Sequence, residues 1–94
     1  MTLLLKDPDA VLDYSVDWGA EYLLGDLIAE SHWTVEPAEP GGVTVVGTDF
    51  DAVTAIVKAG GGVPGRRLYR VTNHVQLASG GVDNRSIVVR VEKR

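Results

Sequence analysis

Two runs of alternating side chains near the end of the chain constrain its fold more than any other feature. In Leu68–Leu77, Tyr69, Val71, Val75 and Leu77 share one side, and Arg70, Thr72, His74 and Gln76 share the other. In Ser86–Glu92, Ile87, Val89 and Val91 face one way, while Val88, Arg90 and Glu92 face the opposite way. Successive side chains on a pleated strand point to opposite faces, so this period-two pattern marks half-buried strands. The connection Ala78–Arg85 contains Ser79-Gly80-Gly81 and Asp83-Asn84, residues that accept turn conformations. The sequence therefore predicts a C-terminal hairpin with a loop over 78–85, against which the rest of the chain must pack.

Earlier segments repeat the theme. Leu3–Lys6 is a short apolar start stopped by Asp7-Pro8-Asp9, because proline removes a ladder donor. Val11–Trp18 alternates, with Leu12, Tyr14, Val16 and Trp18 on one face and Asp13, Ser15 and Asp17 on the other. Residues 19–25 fit either a helical turn or an irregular crossover, bounded by Gly19 and Gly25. Asp26–Val35 reads as a strand whose more apolar face carries Leu27, Ala29, Ser31, Trp33 and Val35, which turns Trp33 inward. The segment Glu36–Gly42 holds two prolines and two glycines and is a surface loop. A short strand Val43–Val46, a turn over Thr48–Asp51 and a strand Ala52–Ala59 follow. Gly60–Gly65 reads as a mobile glycine loop.

About seven short strands without a convincing amphipathic helix predict an all-β fold, an immunoglobulin-like antiparallel β-sandwich. A partly open barrel is the alternative. Tyr69, at the start of the penultimate strand, stands where such sandwiches place a corner tyrosine with a buried ring and a hydroxyl bonded to nearby backbone. The 94 residues are expected to form a single domain, 1–94.

Composition narrows the functional classes. There is no cysteine, so neither a disulfide framework nor a thiolate metal site can form. Met1–Lys6 lacks a basic start and an apolar run of signal-peptide length, and no run approaches the roughly 20 apolar residues of a membrane helix. A net charge of −4 and a pI near 4.9 disfavour nucleic acid as a partner, since phosphate neutralisation supplies most of that affinity. The charge is unevenly distributed. Residues 1–55 carry one cation against eleven carboxylates, and residues 56–94 carry eight cations against two carboxylates. Two readings stay open: the halves interleave and neutralise each other, or an acidic edge meets the basic edge of a neighbour.

No constellation of residues spells out a reaction. His32 and His74 lie 42 positions apart on outward faces, with no HxH or HExxH spacing. Ser31 and His32 are adjacent on a strand and point to opposite faces, so they cannot pair as nucleophile and base. Asp49, Asp51 and Asp83-Asn84 lack the twelve-residue pattern of a calcium loop and read as turn residues. The glycines of residues 60–65 lead into a strand, without the lysine and hydroxyl of a phosphate loop. No cofactor and no metal are expected. Arg66, Arg67 and Arg85 are candidate contacts for a partner protein. Trp18 and Tyr22 join them if their rings are exposed, because aromatic residues anchor interfaces.

The arrangement of Lys6-Asp7-Pro8, Asp13-Tyr14 and Asp17-Trp18, then Ser31–Val35, then Tyr69-Arg70-Val71-Thr72-Asn73, then Asn84-Arg85-Ser86 resembles a known group. It is similar to small proteins encoded among the head and tail genes of tailed bacteriophages and prophages. The similarity covers nearly the whole chain. Ala78–Gly81 departs from it, standing where members tend to carry a threonine and a glycine-arginine turn. The resemblance implies a non-enzymatic virion component, a fibre–tail or head–tail adaptor or an accessory protein, made in the host cytoplasm. It implies head, tail or fibre proteins as partners, a possible homo-oligomer in the particle, and no catalytic residues. The competing expectation is a stand-alone module for carbohydrate or a host surface, which needs an exposed platform of Trp18, Tyr22 or Trp33. On the strand parity read above, Asn73 falls on the apolar face, where a buried amide needs partners.

Overall fold

The computed structural model describes residues 2–19, 23–65 and 67–93, with backbone alone for Thr2 and Arg67. The strands are β1 (Thr2–Lys6), β2 (Leu12–Asp17), β3 (Ile28–Glu36), β4 (Val43–Phe50), β5 (Thr54–Gly61), β6 (Arg67–Leu77) and β7 (Val82–Val91). They form a four-stranded sheet, β1-β7-β6-β3, packed on a three-stranded sheet, β2-β5-β4. This is an immunoglobulin-like sandwich in which the first strand has joined the sheet of the last. The core fills the space between the layers. Val16, Trp18, Ala55, Val57 and Ala59 come from one side, and Trp33, Tyr69, Val71, Val75, Ile87, Val89 and Val91 from the other.

The two terminal runs behave as their alternation dictates. Tyr69, Val71, Asn73 and Val75 of β6 are buried, as are Ile87, Val89 and Val91 of β7. Elsewhere the structure departs from the sequence reading in five places. First, the sandwich is not wholly antiparallel: β1 pairs with β7 in parallel, Leu3 opposite Val88 and Leu5 opposite Arg90. A parallel edge needs only a crossover connection, which the intervening chain supplies.

Second, a bulge between Ile28 and Glu30 inserts a residue into β3. It reverses parity upstream, so Ile28 is buried and Leu27 is exposed, while Trp33 beyond the bulge points inward as expected. Third, β4 runs through Gly47 to Phe50 instead of stopping at Val46, because a second bulge between Val45 and Gly47 breaks its alternation without ending it.

Fourth, the turn of the last hairpin is confined to Ala78–Gly81, closed by Gly80 N–H to Leu77 O at 2.9 Å. Asp83 and Asn84 belong to β7, opposite Val75 and His74. Fifth, the first glycines of the expected loop are packed rather than free: Gly60 and Gly61 end β5, and Gly62 follows it. Gly61 and Gly62 have φ of 73° and 119°, and a Cβ on Gly62 would sit 2.6 Å from Val91 Cγ2. The chain crosses the end of the core there at a distance only glycine allows.

Candidate interaction surface

The side chains that carry the chemical character of this sequence are largely spent inside it. Trp18 follows β2, and its backbone N–H is held by Val53 O at 2.8 Å. That places its ring between the sheets, only 2% exposed. Its indole Nε1–H donates to Asn73 Oδ1 at 2.9 Å. The Asn73 amide nitrogen in turn donates to Ser31 Oγ at 2.8 Å and to His32 O at 3.3 Å. A buried amide with donors and acceptor all engaged fixes how the two sheets meet. Arg85 closes this site from outside: its guanidinium carbon lies 4.7 Å from the Trp18 ring centroid, and Nη1 donates to Asp17 O at 3.1 Å.

At the other end, the Tyr69 ring is fully buried. Its hydroxyl accepts the Val63 backbone N–H at 3.0 Å and donates to Glu39 Oε1. The corner tyrosine thus ties the β5–β6 loop to the β3–β4 loop. Lys6 is buried as well, its ammonium donating to Gly61 O and Asp7 O. Burial holds its pKa below the usual lysine value, partly offset by the carboxylates of Asp7 and Asp9. Sequence reasoning missed this lysine. Lys6 shares parity with the inward Leu4, but Leu3 and Leu5 are equally apolar, so alternation gave no direction.

His32 and His74 are brought together, which their separation in sequence concealed. They are cross-strand partners, stacked with centroids 4.6 Å apart and planes 11° from parallel. They lie on the outer face of the four-stranded sheet, in a depression of about 270 Å³ that Glu30, Gln76 and Asn84 also line. Both nitrogens of His74 are engaged, Nδ1 with Asn84 Oδ1 at 2.7 Å and Nε2 with Thr34 Oγ1 at 2.9 Å. Among the described residues, no group of three or more His, Asp or Glu gathers to hold a metal ion. Asp51 is occupied as a turn residue, accepting the backbone N–H groups of Val53 and Thr54, whereas Asp49 lies within β4 instead of the expected turn and accepts the Phe50 N–H.

Of the residues expected to contact a partner, Trp18 lies in the core instead of on the surface, and Arg85 is exposed as its cover. Arg67 is the first residue of β6, backbone-paired with Val91. Tyr22, Arg66 and the Arg67 side chain lie outside the described residues. Trp33 is buried, so neither tryptophan can serve as an open platform for sugar stacking. What the surface offers is apolar side chains outside the core. Leu3, Leu5 and Leu68 are 56%, 47% and 54% exposed, and Leu24 is 87% exposed. Among the described residues no helix is long and apolar enough to cross a membrane. Sequence reading did not single out these leucines: Leu24 lies in the ambiguous 19–25 stretch, Leu3 and Leu5 in an apolar start with no assigned face, and Leu68 shares the outward parity of Arg70.

With its interior filled, the sandwich leaves its outer faces, where these leucines stand, as the surface open to other proteins. Residues 6–90 match the family model of the podophage GP4 fiber-tail adaptor protein gp77. The chain belongs to that family of phage structural adaptors. No curated protein matches it.

Proposed function

We propose that this chain is a non-enzymatic adaptor that holds a fibre component on the tail of a podophage-type virion. One observation carries the reading. The polar residues with chemical potential (Trp18, Asn73, Tyr69, Lys6) are consumed by the fold, while leucines, among them Leu3, Leu5, Leu24 and Leu68, are left in solvent. Burying an exposed leucine at an interface is worth roughly 1.5–3 kcal/mol, so such residues are contacts in waiting. The protein is made in the host cytoplasm and acts in the particle. Residues 1–94 act in that role as one sandwich domain.

Reconstitution tests this. Purified tails and fibre protein from one particle are mixed with and without the chain, and fibre retained on sedimented tails is measured. Retention that depends on the chain supports the adaptor role. Equal retention in its absence overturns it.

A further inference from the structure

His32 of β3 and His74 of β6 stand opposite each other, their centroids 4.6 Å apart and their planes 11° from parallel. That separation is close to the spacing of neighbouring strands, roughly 4.7–4.9 Å, so the rings stand up from the sheet and the stack runs across the strands. β3 is the last strand in the order β1-β7-β6-β3. One face of the His32 ring therefore rests on His74, and the other looks out past the edge of the sheet, where the residue is exposed. The inner ring is pinned, its Nδ1 bonded to Asn84 Oδ1 at 2.7 Å and its Nε2 to Thr34 Oγ1 at 2.9 Å. A ring stacked on a pinned ring is pre-organised, so little further ordering is needed when a third planar group joins the stack.

The charge around this stack has one sign. Glu30, Gln76, Val82 and Asn84 line the depression together with the two histidines, and among the described residues no Lys or Arg does. Arg70, four residues along β6 from His74, is about 13 Å away at strand rise. Arg85, beside Asn84, turns to the opposite face and covers Trp18. Glu30 and His32 share the outer face of β3 two residues apart, about 7 Å along the strand. Among the described residues, the side chains of Glu30, His32 and Gln76 hold no hydrogen bond or ion pair. A metal chelate is ruled out by geometry: imidazole lone pairs lie in the ring plane, and two nearly parallel planes do not converge on one ion.

We propose that the His32–His74 stack receives an arginine side chain of a partner protein. The guanidinium lies on the open face of His32, and the Glu30 carboxylate accepts two of its N–H groups. A planar cation answers both features at once, because it stacks as a third ring and pairs with a carboxylate through a two-pronged fork. An ammonium brings the charge without the plane, and a sugar brings a face without the charge. Arginine is also among the residues that anchor protein interfaces. That this arginine belongs to a tail or fibre protein rests on the adaptor reading; the site itself does not.

Nuclear magnetic resonance of the isotope-labelled chain tests the site without any virion component, so its failure leaves the adaptor reading standing. The chain is titrated with N-acetyl-arginine amide, N-acetyl-lysine amide and methyl glucoside at constant ionic strength. The arginine derivative should shift the His32 ring and Glu30 carboxyl resonances along a saturating curve. The lysine derivative should bind more weakly, and the glucoside should leave both resonances in place. His32→Ala removes the stacking face, and Glu30→Gln keeps the size and removes the charge. Each should weaken the arginine derivative roughly two- to fivefold, with circular dichroism confirming the fold. Asp13→Asn, on the other sheet, should change nothing. Arginine-derivative shifts that do not saturate, or that spread over carboxylates elsewhere, overturn the proposal. Equal binding of the lysine derivative, glucoside shifts at the same resonances, or variants that bind like the wild type overturn it as well.

Discussion

The indole of Trp18 donates its N–H to the side-chain oxygen of Asn73 at 2.9 Å, joining residues 55 positions apart across the two sheets. The other buried tryptophan makes no such bond: Trp33 Nε1 has no partner among the described residues. The two indoles sit in one core under different polar constraints, and substitution separates packing from hydrogen bonding.

Trp18→Phe and Trp33→Phe remove the same ring atoms, so their cavity costs are similar. Trp18→Phe also strands the Asn73 oxygen in the core, an added cost of roughly 1–3 kcal/mol. Urea unfolding of the two variants should show Trp18→Phe the less stable by that margin. Equal stabilities would mean that the Trp18–Asn73 bond contributes nothing net.

Gly62 and Gly47 make a matched comparison. A Cβ at Gly62 meets Val91 side-chain carbons at 2.6 and 3.1 Å, at a φ of 119°, whereas a Cβ at Gly47 meets nothing within 4 Å. Gly62→Ala is expected to cost roughly 2–4 kcal/mol from overpacking and backbone strain together. Gly47→Ala should be close to neutral. Thermal unfolding measures both.

Tyr69→Phe keeps the buried ring and deletes the hydroxyl that links Val63 N–H to Glu39. The loss should be roughly 1–2 kcal/mol, since one backbone donor and one carboxylate lose their shared partner. Hydrogen exchange gives the sharper readout: the Val63 amide should lose protection while β6 and β7 amides keep theirs.

The acid limb of stability follows from Asp26 and Asp51, both held below the ordinary aspartate value of 3.8 by hydrogen bonds to the ionised form. The folded state binds fewer protons than the unfolded state in that window. Their contribution is therefore complete above 3.8 and is lost as pH falls through the lowered folded values. Asp26→Asn with Asp51→Asn retains the side-chain acceptors and removes the charge, so its stability should fall less steeply below pH 3.8 than that of the wild type. Denaturant midpoints across that range check the sign.

How far the sequence discloses this molecule depends on where alternation is unbroken. In β6 and β7, strict period two placed Tyr69, Val71, Val75, Ile87, Val89 and Val91 inside, and it marked Asn73 as a buried amide in need of partners. In β3 and β4, single inserted residues at the bulges shifted parity, and no local signal marks a bulge. β1 is apolar on both faces, so neither its parallel pairing nor the buried Lys6 could be read. The contact His32–His74 is a matter of register between distant strands, which one sequence does not reveal. Surface function is the least legible part. Leu24 lies in a stretch whose conformation alternation did not resolve, and Leu68 shares the outward parity of Arg70, which says nothing of what would cover it.

The account stands on the chain being a structural joint between tail and fibre, working through its outside. Cryo-electron microscopy of the mature particle tests this most directly, by locating the sandwich in the density. The prediction is a sandwich at the tail–fibre junction that touches both components, with exposed leucines buried in its contacts and Trp18 still in its core. A particle that lacks the chain, or a sandwich touching neither fibre nor tail, would contradict it.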